Sequence, residues 1–313
     1  MLLWHFFSRR SRKKILQSGD RVGSSRCRWA FEKRSSSPVV FTTAELWADL
    51  TSTTYGGFYL NSSNNIFVDT AEADNYVVGE NTVMSADGTV LVKFASNTLT
   101  SFTLPETVTE IGPNAFRGNT SLTGVDLGSV QIIGNSAFYQ TNLEGITIPS
   151  TVTRIGNSAF TNSALAGTLT IPSTVTWIGD SAFQSTHISA LIIQDAPVYI
   201  RNYAFAYILE LNDIDLGDET RYLGDNVFTF EDYMDYDKQE IELVLPASII
   251  AISEYAFDYS EYFTAIYCCF TQEYAESLYG VIQNEDTEYE VEWSEWWTDY
   301  IYCDLVFGYT PGE

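Results

Sequence analysis

Leu143-Glu144-Gly145-Ile146-Thr147-Ile148-Pro149-Ser150-Thr151-Val152-Thr153-Arg154-Ile155-Gly156-Asn157-Ser158-Ala159-Phe160 holds one full unit of a pattern that runs through the chain. Its second half, Ile155 to Phe160, returns as Ile111-Gly112-Pro113-Asn114-Ala115-Phe116, as Ile133 to Phe138 and as Ile178 to Phe183. Looser copies are Ile200 to Phe205, Leu223 to Phe228 and Ile252 to Phe257. The closing Phe steps by 22, 22, 23, 22, 23 and 29 residues. The first half, Leu143-x-x-Ile146-x-Ile148-Pro149, matches Leu99-x-x-Phe102-x-Leu104-Pro105. Gly128 and Gly217 stand in place of Pro after Leu122-x-x-Val125-x-Leu127 and Leu211-x-x-Ile214-x-Leu216. Self-similarity at such a period marks a stacked repeat array.

Each part of the unit has a physical reading. The alternation Ile146-x-Ile148 puts two apolar side chains on one face of a short strand. Pro149 or Gly128 ends the strand, since Pro lacks an N–H and Gly tolerates a turn. Val152 to Ile155 makes a second short extended piece, and Gly156 turns the chain. Asn157, like Asn135, Asp180, Asn202 and Asp225, is expected to N-cap a single helical turn. Ala159 and Phe160 then point inward. Such a coil offers about six large apolar side chains, each worth roughly 1.5–3 kcal/mol when buried. Fixing the backbone costs roughly 1–2 kcal/mol for each of some 22 residues. One coil therefore cannot fold alone, and the array must be cooperative and capped.

The pattern L-x-x-I-x-I-P-x-x-V-T-x-I-G-x-x-A-F resembles the BspA-like leucine-rich repeat over about 99–270, in seven in-phase copies. The resemblance implies an α/β fold: a right-handed leucine-rich-repeat solenoid with parallel short strands and single helical turns, capped at both ends. About eight coils are expected. It also implies a surface protein of bacteria or parasitic protists, with adhesion reported for some members. Three features depart from the family: no clear signal peptide, an acidic and Tyr-rich C-terminal half, and an insertion at 229–240.

The expected organisation has four segments. Residues 1–37 form a basic leader, read as transit-like, as a basic arm or as a mis-assigned start, and are excluded from the fold. Residues 38–98 form an N-terminal cap, with a helix at 43–50 and a hairpin at 79–95 about Ala86-Asp87-Gly88. Residues 99–270 are the solenoid. Residues 271–313 are a C-terminal cap, in which Ala275 to Tyr279 resembles the family's closing turn and 287–308 alternate as edge strands.

Composition narrows the function. The chain has 313 residues, 45% hydrophobic and 15% aromatic, enough for a core. Residues 1–34 carry ten Lys/Arg against Asp20 and Glu32, net +8, while the remainder carries six against 39 acids, net −33. So acidic a body is repelled by nucleic-acid phosphates and anionic lipid. No run of 18 apolar residues exists to span a membrane. The four cysteines, Cys27, Cys268, Cys269 and Cys303, contain no CxxC pair, so no zinc site or disulfide framework is expected.

Catalytic signals are sparse, and no enzyme or cofactor is expected. Of the two histidines, His5 and His187, the second occupies a strand-leading position where a partly buried structural role is expected. No GxSxG, HExxH, Walker or GxGxxG pattern is present. Glu290, Glu292 and Glu295 among Trp293, Trp296 and Trp297 would suit a sugar site. The preferred reading puts Glu290 and Glu292 on the solvent face of a capping strand. Glu231, Asp232, Asp235 and Asp237 crowd the insertion as a solvated acidic loop, without EF-hand spacing for calcium. Asn61-Ser62-Ser63 and Asn119-Thr120-Ser121 are sequons.

The array itself yields candidate binding residues. Parallel in-register strands stack equivalent positions about 4.8 Å apart. The position before the repeat Ile reads Glu110, Ile132, Arg154, Trp177, Tyr199, Tyr222, Ala251. Trp177, Tyr199 and Tyr222 should therefore form an aromatic ladder, suited to sugar rings or a protein hot spot, or packing on itself to brace the face. The outward strand positions run from small and neutral (Ser101, Thr103, Gly124, Gly145, Thr147, Thr168, Thr170) to acidic (Asp213, Asp215, Glu242), with Asp126 early. Cys268 and Cys303 are expected to face inward, bridged only if geometry and redox allow. The expected function is a non-catalytic binding scaffold, protein-protein or adhesive, for a protein or glycan ligand and without nucleic acid. Alternatives are an intracellular scaffold or a carbohydrate-binding or carbohydrate-active protein. A monomer is expected, extracellular or at the cell surface, with an intracellular site as the alternative.

Overall fold

The computed structural model describes residues 58–60, 66–68, 76–79, 81–230, 241–253, 255–257, 263–276, 279–283, 288–292 and 303–311. The leader, the 43–50 segment, the acidic insertion residues and Trp293 to Trp297 lie outside them. The chain divides into two compact units, Met1–Asn97 and Thr98–Glu313.

In the first unit, β1 (Phe58–Leu60) and β2 (Ile66–Val68) pair antiparallel. β3 (Tyr76–Val78), β4 (Thr82–Ser85) and β5 (Val90–Phe94) form an antiparallel meander. The β4–β5 turn is tied by Asp87, whose Oδ1 accepts from the Ser85 hydroxyl at 2.6 Å and the Thr89 amide at 3.1 Å.

The second unit is a parallel-strand solenoid of about seven turns. In chain order it opens with β6 (Ser101–Thr103), β7 (Glu110–Ile111), β8 (Gly124–Asp126), β9 (Ile132–Ile133), β10 (Arg154–Ile155) and β11 (Ala166–Ile171). Next come β12 (Trp177–Ile178), β13 (His187–Ile193), β14 (Tyr199–Ile200), β15 (Asp213–Asp215), β16 (Tyr222–Leu223) and β17 (Ile241–Leu245). It closes with β18 (Ala251–Ile252), β19 (Phe263–Cys268), α1 (Gln272–Glu276), β20 (Tyr279–Gln283), β21 (Glu288–Glu292) and β22 (Asp304–Phe307). One column of ladders joins the two-residue strands β7, β9, β10, β12, β14, β16 and β18, all parallel. The other column pairs β6 with β8, β11 with β13 and β13 with β15, and β17 with β19 and β19 with β22, also parallel. The expected eighth coil, opened by β19, leaves the pattern. Its return is the helix α1 rather than a two-residue strand and turn.

The repeating Phe fills the centre. Phe116, Phe138, Phe160, Phe183, Phe205 and Phe228 stack face to face, with centroids 4.7, 5.1, 5.0, 5.3 and 5.9 Å apart. None is more than 2% exposed. The Ile position, from Ile111 through Leu223 to Ile252, is sealed equally well. The stack ends where the 29-residue step begins: Phe263 meets both Phe228 and Phe257 edge-on, at 83° and 86°.

The segment after each repeat Ile is a run of tight turns, and here the expected N-cap role is corrected. Ser136, Ser158, Ser181, Tyr203 and Asn226 all carry positive φ of 52–57°. Alternate amides point along the solenoid axis: Ser136, Phe138 and Gln140 donate to Asn157, Ala159 and Thr161 of the next coil. The Asn/Asp side chains do the same. Asn135, Asn157, Asp180 and Asn202 each accept, through Oδ1, the backbone N–H of the equivalent residue one coil on. They bind coil to coil instead of capping a helix. The preceding glycine makes room: a Cβ at Gly156 would come within 2.6 Å of Asn135 Oδ1.

Candidate binding surfaces of the solenoid

The register of the short strands places Trp177 opposite Tyr199 and Tyr199 opposite Tyr222, as a ladder requires. The Trp177 and Tyr199 rings lie 6.5 Å apart at 26°. Tyr222, however, is only 3% exposed and packs with Ala251 and Tyr199. Arginines close the gaps between rings. The Arg154 and Arg201 guanidiniums lie 5.1 and 5.3 Å from the Trp177 centroid, and Arg201 lies 5.7 Å from that of Tyr222. Arg201 stands where most coils have glycine, is 4% exposed, and brings Nε to 3.6 Å from Asp180 Oδ1. The Trp177 indole N–H is buried without a hydrogen-bond acceptor. The aromatic column is thus largely internal cation–π packing, with Trp177 and Tyr199 half-buried and Tyr222 covered.

The strand face is open. Ser101, Thr103, Asp126, Gly145, Thr147, Thr168 and Thr170 are exposed, and Asp213, Asp215 and Glu242 follow on later strands. Thr168, Ala190 and Asp213 form one row across three strands, and Thr170, Ile192 and Asp215 the next. Between Gly124 and Gly145, whose Cβ positions meet nothing within 4 Å, an open recess of about 490 Å³ is walled by Asp126, Thr147 and Pro149.

Two of the acids named from sequence have a structural task. Asp126 Oδ1 accepts the Gly128 amide at 3.1 Å, and Asp215 Oδ1 accepts the Gly217 amide at 2.9 Å. Coils that end in Pro have no N–H there, and they carry Thr or Val at the Asp position: Thr103 before Pro105, Thr147 before Pro149, Thr170 before Pro172 and Val244 before Pro246. The pairing of Asp with Gly, and the lack of Asp before Pro, is readable in the sequence. Asp213 and Glu242 have no such role.

His187 is exposed, with Nδ1 3.1 Å from Glu210 Oε1 and its side chain 59% accessible. The inward place expected for it belongs to Ile188, one residue on, because β11 and β13 shift register at Gly167. Cys268 faces the core, and burial pushes its thiol up to about 12; that of Cys303 is pushed up to about 11. Register sets Cys268 opposite Phe307, four residues beyond Cys303, or about 13 Å along the strand. A bridge needs Cα atoms within roughly 7 Å, and both thiols are free. Asn119 of the second sequon is engaged through Oδ1 by the Ser121 and Leu122 amides.

Among the described residues, no group of three or more His, Cys, Asp or Glu is placed to hold a metal ion. No described helix is long and apolar enough to cross a membrane. The body's arginines serve the fold: besides Arg154 and Arg201, Arg117 lies 4.8 Å over Tyr139, and Arg221 bonds Glu219 at 3.1 Å and the Ser248 carbonyl at 3.3 Å.

Residues 92–194 and 131–264 match the model of the BspA type leucine rich repeat region, in six copies. No curated protein matches the chain. Among solved structures, the pneumococcal vaccine antigen PcpA is similar at 15% identity and TM-score 0.42, over 76% of this chain and 48% of that one. A leucine-rich repeat protein from Bacteroides ovatus is similar at 17% identity and TM-score 0.39, over 82% and 67%. Another from Eubacterium ventriosum is similar at 17% identity and TM-score 0.40, over 61% and 51%. The chain thus spans about half the length of the pneumococcal protein. With the repeat model covering more than half of its residues, the chain belongs to the BspA-type leucine-rich repeat family.

Proposed function

We propose that this chain is a non-catalytic binding scaffold, extracellular or at the cell surface, that engages a protein or glycan partner through its strand face. In this reading 99–270 is the binding body, and 38–98 and 271–313 close its ends. The observation that carries it is the exposed face itself. Rows of outward residues stand in register, floored by Gly124 and Gly145, while Arg154 and Arg201 are drawn into stacks on Trp177. That division leaves Asp213 and Glu242 to set a negative field on the later strands, which favours a basic partner. Trp177 and Tyr199 form a secondary contact strip at most two rings long, since Tyr222 is covered.

The test blocks the face without touching the core. Thr147→Arg with Thr168→Arg places two long side chains over exposed rows. Wild type and this variant are applied to the same glycan and surface-protein arrays, with Trp177→Ser/Tyr199→Ser as a third arm. Binding lost in the Thr variant and kept in the aromatic variant supports the strand face. Equal binding by wild type and the Thr variant rejects it.

A further inference from the structure

The last three strands of the face join two strands of the repeat to one from outside it. β17, β19 and β22 are parallel, and their register sets Glu242, Ala265 and Asp304 in one row and Val244, Tyr267 and Val306 in the next. Ala265 is 6% exposed and forms a small floor between the two carboxylates. The Tyr267 hydroxyl donates to Glu242 Oε1 at 3.3 Å, and the Tyr267 and Tyr309 rings meet at 4.7 Å and 41°. Val306 is 39% exposed beside them.

We propose that this cluster seats one cationic side chain, a lysine or arginine from an extended segment of a protein partner, over Ala265 between Glu242 and Asp304 and against the Tyr267–Tyr309 pair. The proposal rests on the strand-face reading and specifies its partner chemistry. Geometry selects the ligand. Glu242 and Asp304 stand on strands two spacings apart, about 9–10 Å. Two carboxylates fall well short of the roughly six to eight oxygens that a calcium ion takes, and among the described residues no third His, Cys, Asp or Glu joins them. An ammonium or guanidinium is served by the pair alone. The ring pair adds a cation–π surface, and Val306 with the ring edges suits the aliphatic stem. Among the described residues neither carboxylate has a basic partner. The Glu242 carboxylate first, then desolvation, with smaller contributions from Tyr309 and Asp304, pushes the Tyr267 phenol up.

The experiment is fluorescence anisotropy with labelled ten-residue peptides that alternate Thr with Lys, Arg or Gln, read on the whole chain. The Lys and Arg peptides are expected to bind and the Gln peptide not. Asp304→Asn and Tyr309→Ala should each weaken binding roughly fivefold or more, while Glu106→Gln, at an exposed acid away from this cluster, changes it less than twofold. Tyr267→Phe, which keeps the ring, should retain most of the affinity; if Tyr309→Ala lowers Tm, Asp304→Asn decides. Equal losses in Glu106→Gln and Asp304→Asn would mean diffuse charge only and overturn the proposal, as would equal binding of the Gln peptide. Failure here is distinct from failure of the strand-face reading: array binding abolished by Thr147→Arg/Thr168→Arg but intact in Asp304→Asn keeps the face and removes the cation seat.

Discussion

Asn202 and Asp225 occupy the same position in successive coils, and the Asp225 amide donates to Asn202 Oδ1 at 3.0 Å while the Asn202 amide donates to Asp180 Oδ1 at 3.2 Å. At the C-terminal end the Ser253 hydroxyl bonds Asp225 Oδ1. The side chains thus extend the backbone ladder through the turns, where neither strand column reaches.

Removing one rung should be measurable. Asn202→Ala strips the acceptor from the Asp225 amide, and a hydrogen bond of this kind contributes about 0.5–1.5 kcal/mol. The urea midpoint should fall accordingly at unchanged m-value. Asn202→Asp, which keeps an acceptor, should fall less.

Asp213 and Asp215 are two residues apart with opposite duties. Asp215→Ala frees the Gly217 amide and should cost about 0.5–1.5 kcal/mol. Asp213→Ala should stay within about 0.5 kcal/mol of wild type. Thermal unfolding of the two variants side by side checks this. Gly217 adds a constraint: at φ 63° with the Ile193 carbonyl against its Cβ direction, Gly217→Ala should destabilise more than either.

Thiol chemistry should report the closed end of the array. Burial raises the Cys268, Cys269 and Cys303 thiols. The reactive species is the thiolate. At pH 8, iodoacetamide should label these three sites slowly in the native chain and rapidly in urea, as read by peptide mapping. Fast native labelling of Cys268 would contradict its placement.

Asp87 supplies a pH signature in the first unit. Hydrogen bonds from Ser85 and Thr89 pull its carboxyl from 3.8 down to about 2. A folded pKa below the unfolded one means its stabilisation is present above about pH 4 and is lost as pH falls toward 2. A carbon-13 NMR titration should show Asp87 titrating near 2, below the usual carboxylate range, and Asp87→Asn should flatten the acid limb of stability over that window.

Much of the architecture was legible because the repeat imposes one environment many times. Phe160 and Ile155 recur with fixed spacing, so their burial follows from any single coil. The Asn135-type positions were found, but their direction was not: a lone coil cannot show whether a side chain bonds its own turn or the next coil. The inward place falls to Ile188 and not His187 because β13 carries one residue more than β11 at the bulge, Ser189; the L-x-x-I-x-I spacing, met by Ile188-x-x-Leu191-x-Ile193, marks the same phase. The fate of Tyr222 depended on Arg201, an exception to the glycine column whose long side chain fills the ladder from within. The Glu242–Tyr267–Asp304–Tyr309 cluster has no periodic signal, because Asp304 in β22 and Tyr309 just after it lie outside the repeat.

The central claim is that the coils share one continuous core through the Phe column. Phe160 lies between Phe138 and Phe183 at 5.1 and 5.0 Å. Phe160→Ala should cost about 3–5 kcal/mol. Hydrogen exchange read peptide by peptide across 101–252 in increasing urea tests it most directly. The account predicts that protection in the coils on both sides of Phe160 collapses at one midpoint, and that Phe160→Ala moves that midpoint for all of them together. Loss confined to residues 143–165, with neighbouring coils keeping wild-type protection, would contradict it.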